Sequence, residues 1–386
     1  MPYTTRLLEE PLRRASRSFA AVLLTGPRRA GKTTLLRHLF PQARYVLLED
    51  PDVVARVRLD PRTFLEELHR PAILDEIQNA PELLNYVRAS IDRAPSRKGD
   101  WFLSGSQEAP LMRGVTESMA GRAAVLELLP LSRREDPRVS WFRGGYPEVL
   151  ARPRGASLRF RSYLQTYLER DVRALSAIRD LPTFRRFLSL LASRNGQILN
   201  KTDLAAPMGV SVPTIAQWLN ILEVTAQIVL VPPYFENFGK RLTKSPKLYF
   251  VDPGLVCHLL GIDREAALVR SPFAGAVFEA FVASEIVKEQ VHAGRRREIY
   301  FFRDEQGLEV DFVVPIGPAR LLLLEAKATR TLRPEMARPL ARLSAAVKGY
   351  ALRSYVLGQS PRGASTAALA GGIRGGAIED LPSLLS

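Results

Sequence analysis

Cysteine is almost absent from this sequence, since Cys257 is the only one among 386 residues. A single thiol excludes an internal disulfide framework, and nothing around it indicates a catalytic nucleophile. Long apolar runs are absent as well, because none approaches the roughly 20 residues of a membrane span. The N-terminal segment carries charges where a signal peptide needs an apolar stretch. We therefore expect a cytoplasmic protein with no membrane partner.

Lysine is scarce although the chain is strongly basic. Nine of the 55 cationic residues are lysines, and the formal net charge is +15. This charge favours a polyanionic partner, with nucleic acid first and an anionic membrane second. An arginine-rich composition that only keeps the surface soluble is the alternative. Apolar residues make up 46% of the chain, which is ample for packed cores, and the length indicates several domains.

The most informative motif is a glycine loop between an apolar strand, predicted over 21–25, and an amphipathic helix, predicted over 33–39. The loop consists of Gly26, Pro27, Arg28, Arg29, Ala30, Gly31, Lys32, Thr33 and Thr34. Strand, glycine loop and helix form the context of a phosphate-binding P-loop, in which backbone N–H groups surround the β-phosphate. Lys32 then reaches the β- and γ-phosphates, and the Thr33 hydroxyl ligates Mg²⁺. The motif predicts binding of a nucleoside triphosphate.

A second apolar strand, predicted over 71–75, ends in two adjacent acids, Asp75 and Glu76. In P-loop ATPases the first carboxylate of such a pair holds Mg²⁺. The second polarises the attacking water as a general base. An ordinary strand end gives the same pattern by itself, but the P-loop upstream favours hydrolysis over binding alone.

Three further residues are candidates for the same site. A third strand, predicted over 101–103, runs into Ser104 and Ser106, whose hydroxyls are suited to contact the γ-phosphate or to orient water; an ordinary serine-glycine turn is the alternative. Arg122 precedes another predicted strand, over 123–129. As a finger it would neutralise charge at the γ-phosphate of a neighbouring subunit. A plain surface arginine remains the other interpretation.

Together with residues 144–148 and 163–171, these motifs resemble a family of prokaryotic AAA+-type ATPases with an AAA_14 core and a DUF4143 C-terminal region. The resemblance covers nearly the whole chain. It implies ATP as the nucleotide and an additional strand between the two that carry the nucleotide motifs. It also implies a ring-like homo-oligomer, such as a hexamer, with Arg122 as the finger acting in trans. We place this ATPase core at 1–135 and a helical lid or connector, with helix from about 138 to 178, at 136–180.

A winged helix-turn-helix is predicted over 181–265, from three helices and strands at 228–231 and 247–251. Its third helix carries Thr214, Gln217 and Asn220 but no arginine, so base readout should be weak. The wing is basic and has no acid between 236 and 252, which suits phosphate contacts and binding of DNA by shape. The DNA candidates are Lys240, Arg241, Lys244 and Lys247. A protein-contact or structural module is the alternative.

The last predicted domain, 266–386, has an α-β-β-β-α-β pattern. Asp311 and the triplet Glu325-Ala-Lys327 resemble the PD-(D/E)XK nuclease signature, with Glu279 as the helix carboxylate. Residues 325 and 327 share one face of a strand. Three carboxylates could hold Mg²⁺ while Lys327 activates water. A β-hairpin with surface charges would give a similar pattern, and this fold does not guarantee cleavage.

The predicted fold class is therefore α/β: a P-loop ATPase core with a parallel sheet, a winged helix, and a restriction-endonuclease-like domain. The leading functional prediction is an ATPase that remodels or translocates on DNA, with branched or forked DNA favoured. An ATP-regulated, metal-dependent nuclease is the first alternative. An ATPase switch that acts through protein contacts is the second.

Overall fold

The computed structural model describes residues 3–105, 119–168, 180–234, 245–359 and 368–385. The chain divides into two compact units. Unit 1 comprises Met1–Leu131, Val224–Ala226 and Val291–Arg295. Unit 2 comprises Ser132–Glu223, Gln227–Gln290 and Arg296–Ser386.

Unit 1 is built on a five-stranded parallel sheet. The strands are β1 (Ala21–Thr25), β2 (Arg44–Leu47), β3 (Ala72–Asp75), β4 (Trp101–Ser104) and β5 (Ala123–Glu127). They lie in the order β2-β3-β4-β1-β5. Because β4 separates β1 from β3, the expectation of an additional strand between the two nucleotide-motif strands is confirmed. The helices are α1 (Glu9–Ser18), α2 (Lys32–Leu39), α3 (Pro51–Leu59), α4 (Pro61–Glu66) and α5 (Leu83–Arg93).

The central strands of this sheet are buried on both faces. Every residue of β1, β3 and β4 is buried, which explains why they read in the sequence as continuous apolar runs. Alternate side chains enter two cores: Leu23 and Leu74 pack with Trp101 on one face, and Val22 and Ile73 pack on the other. Because β1 and β3 both run parallel to β4, their carboxyl ends lie at the same edge of the sheet.

The first half of unit 2 is helical and includes one hairpin. Its helices are α6 (Pro147–Ala151), α7 (Ala156–Tyr163), α8 (Leu181–Ser193), α9 (Lys201–Met208), α10 (Val212–Val224), α11 (Pro253–Leu259), α12 (Glu265–Arg270) and α13 (Ala274–His292). Strands β6 (Ile228–Val231) and β7 (Lys247–Phe250) pair antiparallel. This is the element order that the winged-helix prediction requires.

Polar side chains begin each of the three helices α8, α9 and α10. The Asp180 carboxylate accepts from the Thr183 amide at 3.0 Å, and the Asn200 side chain accepts from the Thr202 amide at 3.0 Å. Ser211 Oγ accepts from the Thr214 amide at 3.2 Å. These contacts satisfy amides that have no partner within the helix.

The continuous helix predicted from 138 is wrong in its first part. Residues 138–146 form turns, and helix begins only at Pro147. Gly144 has a left-handed backbone (φ 69°), and a Cβ there would lie 2.0 Å from Asp252 Oδ1. A second proline, Pro153, separates α6 from α7. The helix predicted from 138 therefore crosses breaks that glycine and proline impose.

The second half of unit 2 is a mixed five-stranded sheet. Its strands are β8 (Tyr300–Arg303), β9 (Glu309–Gly317), β10 (Arg320–Ala326), β11 (Ala351–Gly358) and β12 (Arg374–Ala377), in the order β12-β11-β10-β9-β8. β8, β9 and β10 pair antiparallel, whereas β10, β11 and β12 pair parallel. Helix α14 (Arg338–Ala346) covers one face, and α15 (Leu381–Leu384) is the last helix described. The α/β class is confirmed.

Two structural observations concern the expected lack of a membrane span and the single cysteine. Among the residues that the structure describes, no helix is long and apolar enough to cross a membrane. Cys257 is buried, and burial raises the pKa of its thiol to about 12. A thiol in this state is not an activated nucleophile.

Candidate functional site

The glycine loop follows β1 and leads directly into α2. Gly26 has φ 132°, and a Cβ at that position would lie 2.1 Å from the carbonyl oxygen of Leu128. Gly31 has φ 101° and precedes the first residue of α2. Only glycine accommodates both the left-handed backbone and the close approach at position 26. The loop conformation therefore depends on the residues that carry the motif.

Lys32 is buried at the base of this loop, with 6% of its surface exposed. Its Nζ donates to the carbonyl oxygens of Gly26 at 2.9 Å and Pro27 at 3.1 Å. The ammonium thus lies inside the curve of the loop. A phosphate bound in that curve would meet the positive charge directly.

Asp75, at the end of β3, is the centre of a hydroxyl cluster. Thr33 Oγ1 donates to its Oδ2 at 2.7 Å, and the Tyr45 hydroxyl donates to the same oxygen at 2.8 Å. Ser104 Oγ donates to Oδ1. Burial raises the pKa of Tyr45, and the hydrogen bond to Asp75 raises it further, so this phenol stays a donor. The pairing of Thr33 with Asp75 unites the loop and the second motif.

Glu76 follows Asp75 in a left-handed backbone conformation with φ 60°. Its Oε2 lies 3.4 Å from Nη1 of Arg28, a P-loop residue, and also accepts from Gln78 Nε2. The left-handed turn separates the directions of the two acids, so that Glu76 contacts Arg28 while Asp75 contacts Thr33. The two carboxylates are thus positioned for different tasks.

The other predicted nucleotide residues differ in exposure. Ala30 is buried, whereas Arg29 and Thr34 are exposed. Arg6, which the sequence did not indicate, links the glycine loop to the chain that follows β5. Its guanidinium donates to Ala30 O at 2.9 Å and to Leu129 O at 2.7 Å. Ser106 lies outside the described residues.

These residues fit a nucleotide with Mg²⁺. The hydroxyl of Thr33 and the carboxylate of Asp75 supply the hard oxygen ligands that Mg²⁺ prefers. Gly26 lets the loop pass close to the Leu128 carbonyl oxygen, an approach that a side chain would prevent. Lys32 supplies the positive charge for phosphate. Thr33 and Asp75 are therefore the residues that would hold Mg²⁺ together with the phosphates.

Arg122, the predicted finger, precedes β5. Its Nε donates to Asp92 Oδ1 at 2.6 Å and its Nη2 to Asp92 Oδ2 at 3.1 Å, so the guanidinium is paired in a fork with a residue of α5. More than a third of the arginine side chain remains exposed. The trans role stays a prediction.

In unit 2, a second group of charged residues surrounds Lys247, the first residue of β7. Its Nζ lies 2.9 Å from Glu279 Oε1, 2.6 Å from Glu309 Oε1 and 3.7 Å from Asp311 Oδ1. Only 3% of Lys247 is exposed. The prediction that it contacts DNA phosphate is wrong, because the ammonium is enclosed by carboxylates of its own chain. Lys240, Arg241 and Lys244 lie outside the described residues.

The four residues predicted for a nuclease-like site lie in this neighbourhood. Asp311 Oδ2 accepts from the Ala326 amide at 2.9 Å, beside Glu325 on β10. Glu325 Oε1 accepts from Lys327 Nζ at 2.7 Å. Burial, with the charge of Asp311, raises the pKa of Glu279 to about 7 and that of Glu325 to about 8. Among the described residues, however, no group of His, Cys, Asp or Glu is arranged to hold a metal ion.

Three protein families match successive parts of the chain. The family described as AAA domain matches residues 18–136. Two families described as domains of unknown function, DUF8612 and DUF4143, match residues 134–266 and 274–367. Uncharacterized protein Rv2008c of Mycobacterium tuberculosis and Uncharacterized protein Mb2031c of Mycobacterium bovis are each 35% identical to this chain over 327 residues, which is 83% of this chain and 73% of theirs. The chain belongs to a family of P-loop ATPases with a DUF4143 domain.

Two solved structures resemble this P-loop ATPase at 17% identity. The Walker-type ATPase PABY2304 of Pyrococcus abyssi aligns with a TM-score of 0.44 over 65% of this chain and 94% of that chain. The RuvB Holliday junction branch migration motor of Thermotoga maritima aligns with a TM-score of 0.30 over 58% of this chain and 89% of that chain. With TM-scores below 0.5, neither likeness carries an argument about this chain.

Three positions of the P-loop ATPase escaped sequence reasoning. Tyr45 was missed because the short strand β2 was not predicted. Arg6 carries no motif, so only the structure could reveal its contact with the loop. Glu309 had a usable signal, since it stands two residues before Asp311 on one strand and therefore faces the same side.

Proposed function

We propose that this P-loop ATPase hydrolyses ATP with Mg²⁺ and uses the cycle to remodel, or to translocate on, branched or forked DNA. Family membership supports the ATPase part. The DNA part is supported by the helices α8 to α10 with the hairpin β6–β7, in a chain of net charge +15. This combination suits a module that binds phosphates by shape.

In the hydrolysis step, each residue of the nucleotide site has a separate task. Lys32 would bind the β- and γ-phosphates, and Thr33 and Asp75 would hold the metal. Mg²⁺, when bound, neutralises negative charge on the phosphate oxygens. Glu76 accepts the proton of the attacking water as general base. Ser104 keeps Asp75 oriented through its hydrogen bond.

One observation carries the DNA proposal: the hairpin β6–β7 brackets the segment that holds Lys240, Arg241 and Lys244. Helix α10 exposes Gln217 and Asn220, and Thr214 is half-buried. None of these three side chains forms the bidentate guanine contact typical of arginine. We therefore expect phosphate contacts to dominate and sequence preference to be weak.

The proposal includes a homo-oligomer in which Arg122 completes the nucleotide site of a neighbouring subunit. Its support is the placement of the guanidinium on the surface, paired only with the exposed Asp92 among the ion pairs of the described residues. An exposed ion pair of this kind is weak in water. Arg122 would therefore lose little free energy by leaving Asp92 and pairing with a γ-phosphate instead.

The decisive experiment measures the ATPase rate without DNA and with duplex, single strand, fork and four-way junction. Replacing Lys240, Arg241 and Lys244 by alanine should weaken binding similarly for all sequences. It should also reduce the slope of log K against log salt by about 0.9 for each phosphate of duplex DNA that the variant no longer neutralises. A sequence-selective decrease in affinity would contradict binding by shape.

A matched control keeps the total charge change equal. Arg13, Arg14 and Arg17 are exposed on α1, and replacing them by alanine removes the same three charges from another surface. This variant should retain DNA binding and its salt dependence. If no DNA stimulates hydrolysis and both variants behave alike, an ATPase switch acting through protein contacts replaces the DNA proposal.

A further inference from the structure

The acidic group around Lys247 has a feature that a metal site does not have: a cation of the chain lies at its centre. Lys247 Nζ is within 4 Å of the carboxylates of Glu279, Glu309 and Asp311. It also lies 5.6 Å from the centre of the Phe301 ring, a distance that suits cation–π attraction. We call these residues, with Glu325 and Lys327, the acidic cluster.

Each carboxylate that the nuclease-like prediction assigns to a metal has a protein partner on at least one oxygen, while Glu325 Oε2 is buried without a hydrogen-bond partner among the described residues. Glu279 Oε1 accepts from Lys247 and, at 2.6 Å, from the Tyr249 hydroxyl. Asp311 shares Lys247 and accepts the Ala326 amide. Mg²⁺ demands oxygen ligands at about 2.1 Å in near-octahedral geometry. An ammonium among those ligands repels a second cation and takes its place.

The formal charges of the acidic cluster nearly balance without a metal ion. Its four carboxyl groups face three cationic groups, because Arg303 Nη1 lies 3.2 Å from Glu309 Oε2, and Lys247 and Lys327 complete the set. Burial opposes the charge of Lys247, but the surrounding acids outweigh it and raise the pKa of its ammonium. Four carboxylates against three cations leave the cluster with a formal charge of only −1.

We propose that Lys247 is the permanent cation of the acidic cluster, that it fastens the hairpin β6–β7 to the C-terminal sheet, and that the cluster does not bind a divalent metal. The expected metal of a PD-(D/E)XK site does not fit here. The C-terminal sheet then serves as a platform and not as a nuclease centre.

The first test is direct Mn²⁺ binding to the full-length chain without nucleotide. An Asp75→Asn background removes the Mg²⁺ ligand of the nucleotide site, and Mn²⁺ is followed by its electron paramagnetic resonance signal. We expect no bound Mn²⁺ that depends on Asp311. Bound Mn²⁺ that disappears in Asp75→Asn/Asp311→Asn would overturn the proposal. Mn²⁺ that persists in that variant is bound elsewhere and agrees with it.

The second test compares Lys247→Met with Lys327→Met by thermal unfolding in chelator and in Mn²⁺. Lys247→Met leaves carboxylates without their cation, so its Tm in chelator should fall by several degrees and rise when Mn²⁺ is added. Lys327 lies at the edge of the cluster with 34% of its side chain exposed, so the Tm of Lys327→Met should fall less and show no Mn²⁺ response. Lys247→Arg keeps the charge and should retain most of the original Tm. If Lys247→Met does not fold, the Mn²⁺ measurement above still decides.

Discussion

Glu76 is the residue on which the chemical step of the proposed mechanism depends. Replacing Glu76 by Gln keeps its size but removes the base, so we expect ATP binding to survive and turnover to fall at least about a hundredfold. Single-turnover hydrolysis together with equilibrium binding of a fluorescent ATP analogue separates these two effects.

The control for this variant is Glu82→Gln, which makes the same chemical change at the start of α5. Among the ion pairs described, Glu82 contacts only the exposed Arg58, at 3.8 Å. The Glu82→Gln variant should hydrolyse ATP at the normal rate. Lys32→Ala should instead lose nucleotide binding. Equal turnover in Glu76→Gln and the unchanged protein would remove Glu76 from the role of base.

At the scale of residues, sequence reasoning worked where a motif fixes the local backbone. The loop from Gly26 to Thr33 and the pair Asp75–Glu76 come together because parallel strands end at one edge. Lys247 was misassigned because charge in sequence does not tell which way a side chain faces. It was grouped with Lys240 and Lys244, yet at the start of β7 it faces acids that come later in the chain.

At the scale of elements, the buried cap of α11 offers a sharp test. Asp252 Oδ1 accepts from the Leu255 amide at 3.0 Å, and Oδ2 accepts from the Gly145 amide at 2.7 Å. The residue is 2% exposed. Asp252→Ala leaves two buried amides without their acceptors, so the free energy of unfolding should fall by about 2–4 kcal/mol. Denaturant unfolding followed by circular dichroism measures it.

Asp180→Ala is the matched control, because Asp180 caps α8 in the same way but is exposed to solvent. Water replaces the missing acceptor there, so the destabilisation should be clearly smaller than for Asp252→Ala. Equal destabilisation would show that burial does not determine the strength of these caps.

Most of the elements could be predicted, and those that were missed have weak patterns. Strand β6 lies at the predicted residues, and α8 to α10 follow the predicted order. β12 was missed because its sequence Arg-Gly-Gly-Ala has little of the β-branched content that marks strands. It becomes a strand by pairing with β11, which is a tertiary effect.

At the scale of the whole molecule, the prediction concerns assembly. Arg122→Ala chains and Lys32→Ala chains should each be inactive alone if Arg122 acts in trans. Mixing them should restore part of the hydrolysis, because some interfaces then combine an intact Lys32 with an intact Arg122. The ATPase rate is measured as a function of mixing ratio.

Asp92→Ala provides the control for the mixing experiment, since it removes the same ion pair and leaves the guanidinium in place. This variant should remain active. If mixed assemblies are demonstrated with differently tagged subunits and hydrolysis is not recovered, Arg122 acts in cis or has only a structural role.

The position of Lys247 has a consequence for how the chain can be divided. Lys247 precedes the boundary predicted at residue 265, while Glu279, Glu309 and Asp311 follow it. A fragment that begins at 266 would fold, if at all, around carboxylates that are deprived of their central counter-charge. Helices α8 to α10 with the hairpin β6–β7 are therefore coupled in unfolding to the sheet of β8 to β12. The shortest fragment of this region that folds by itself must include both parts.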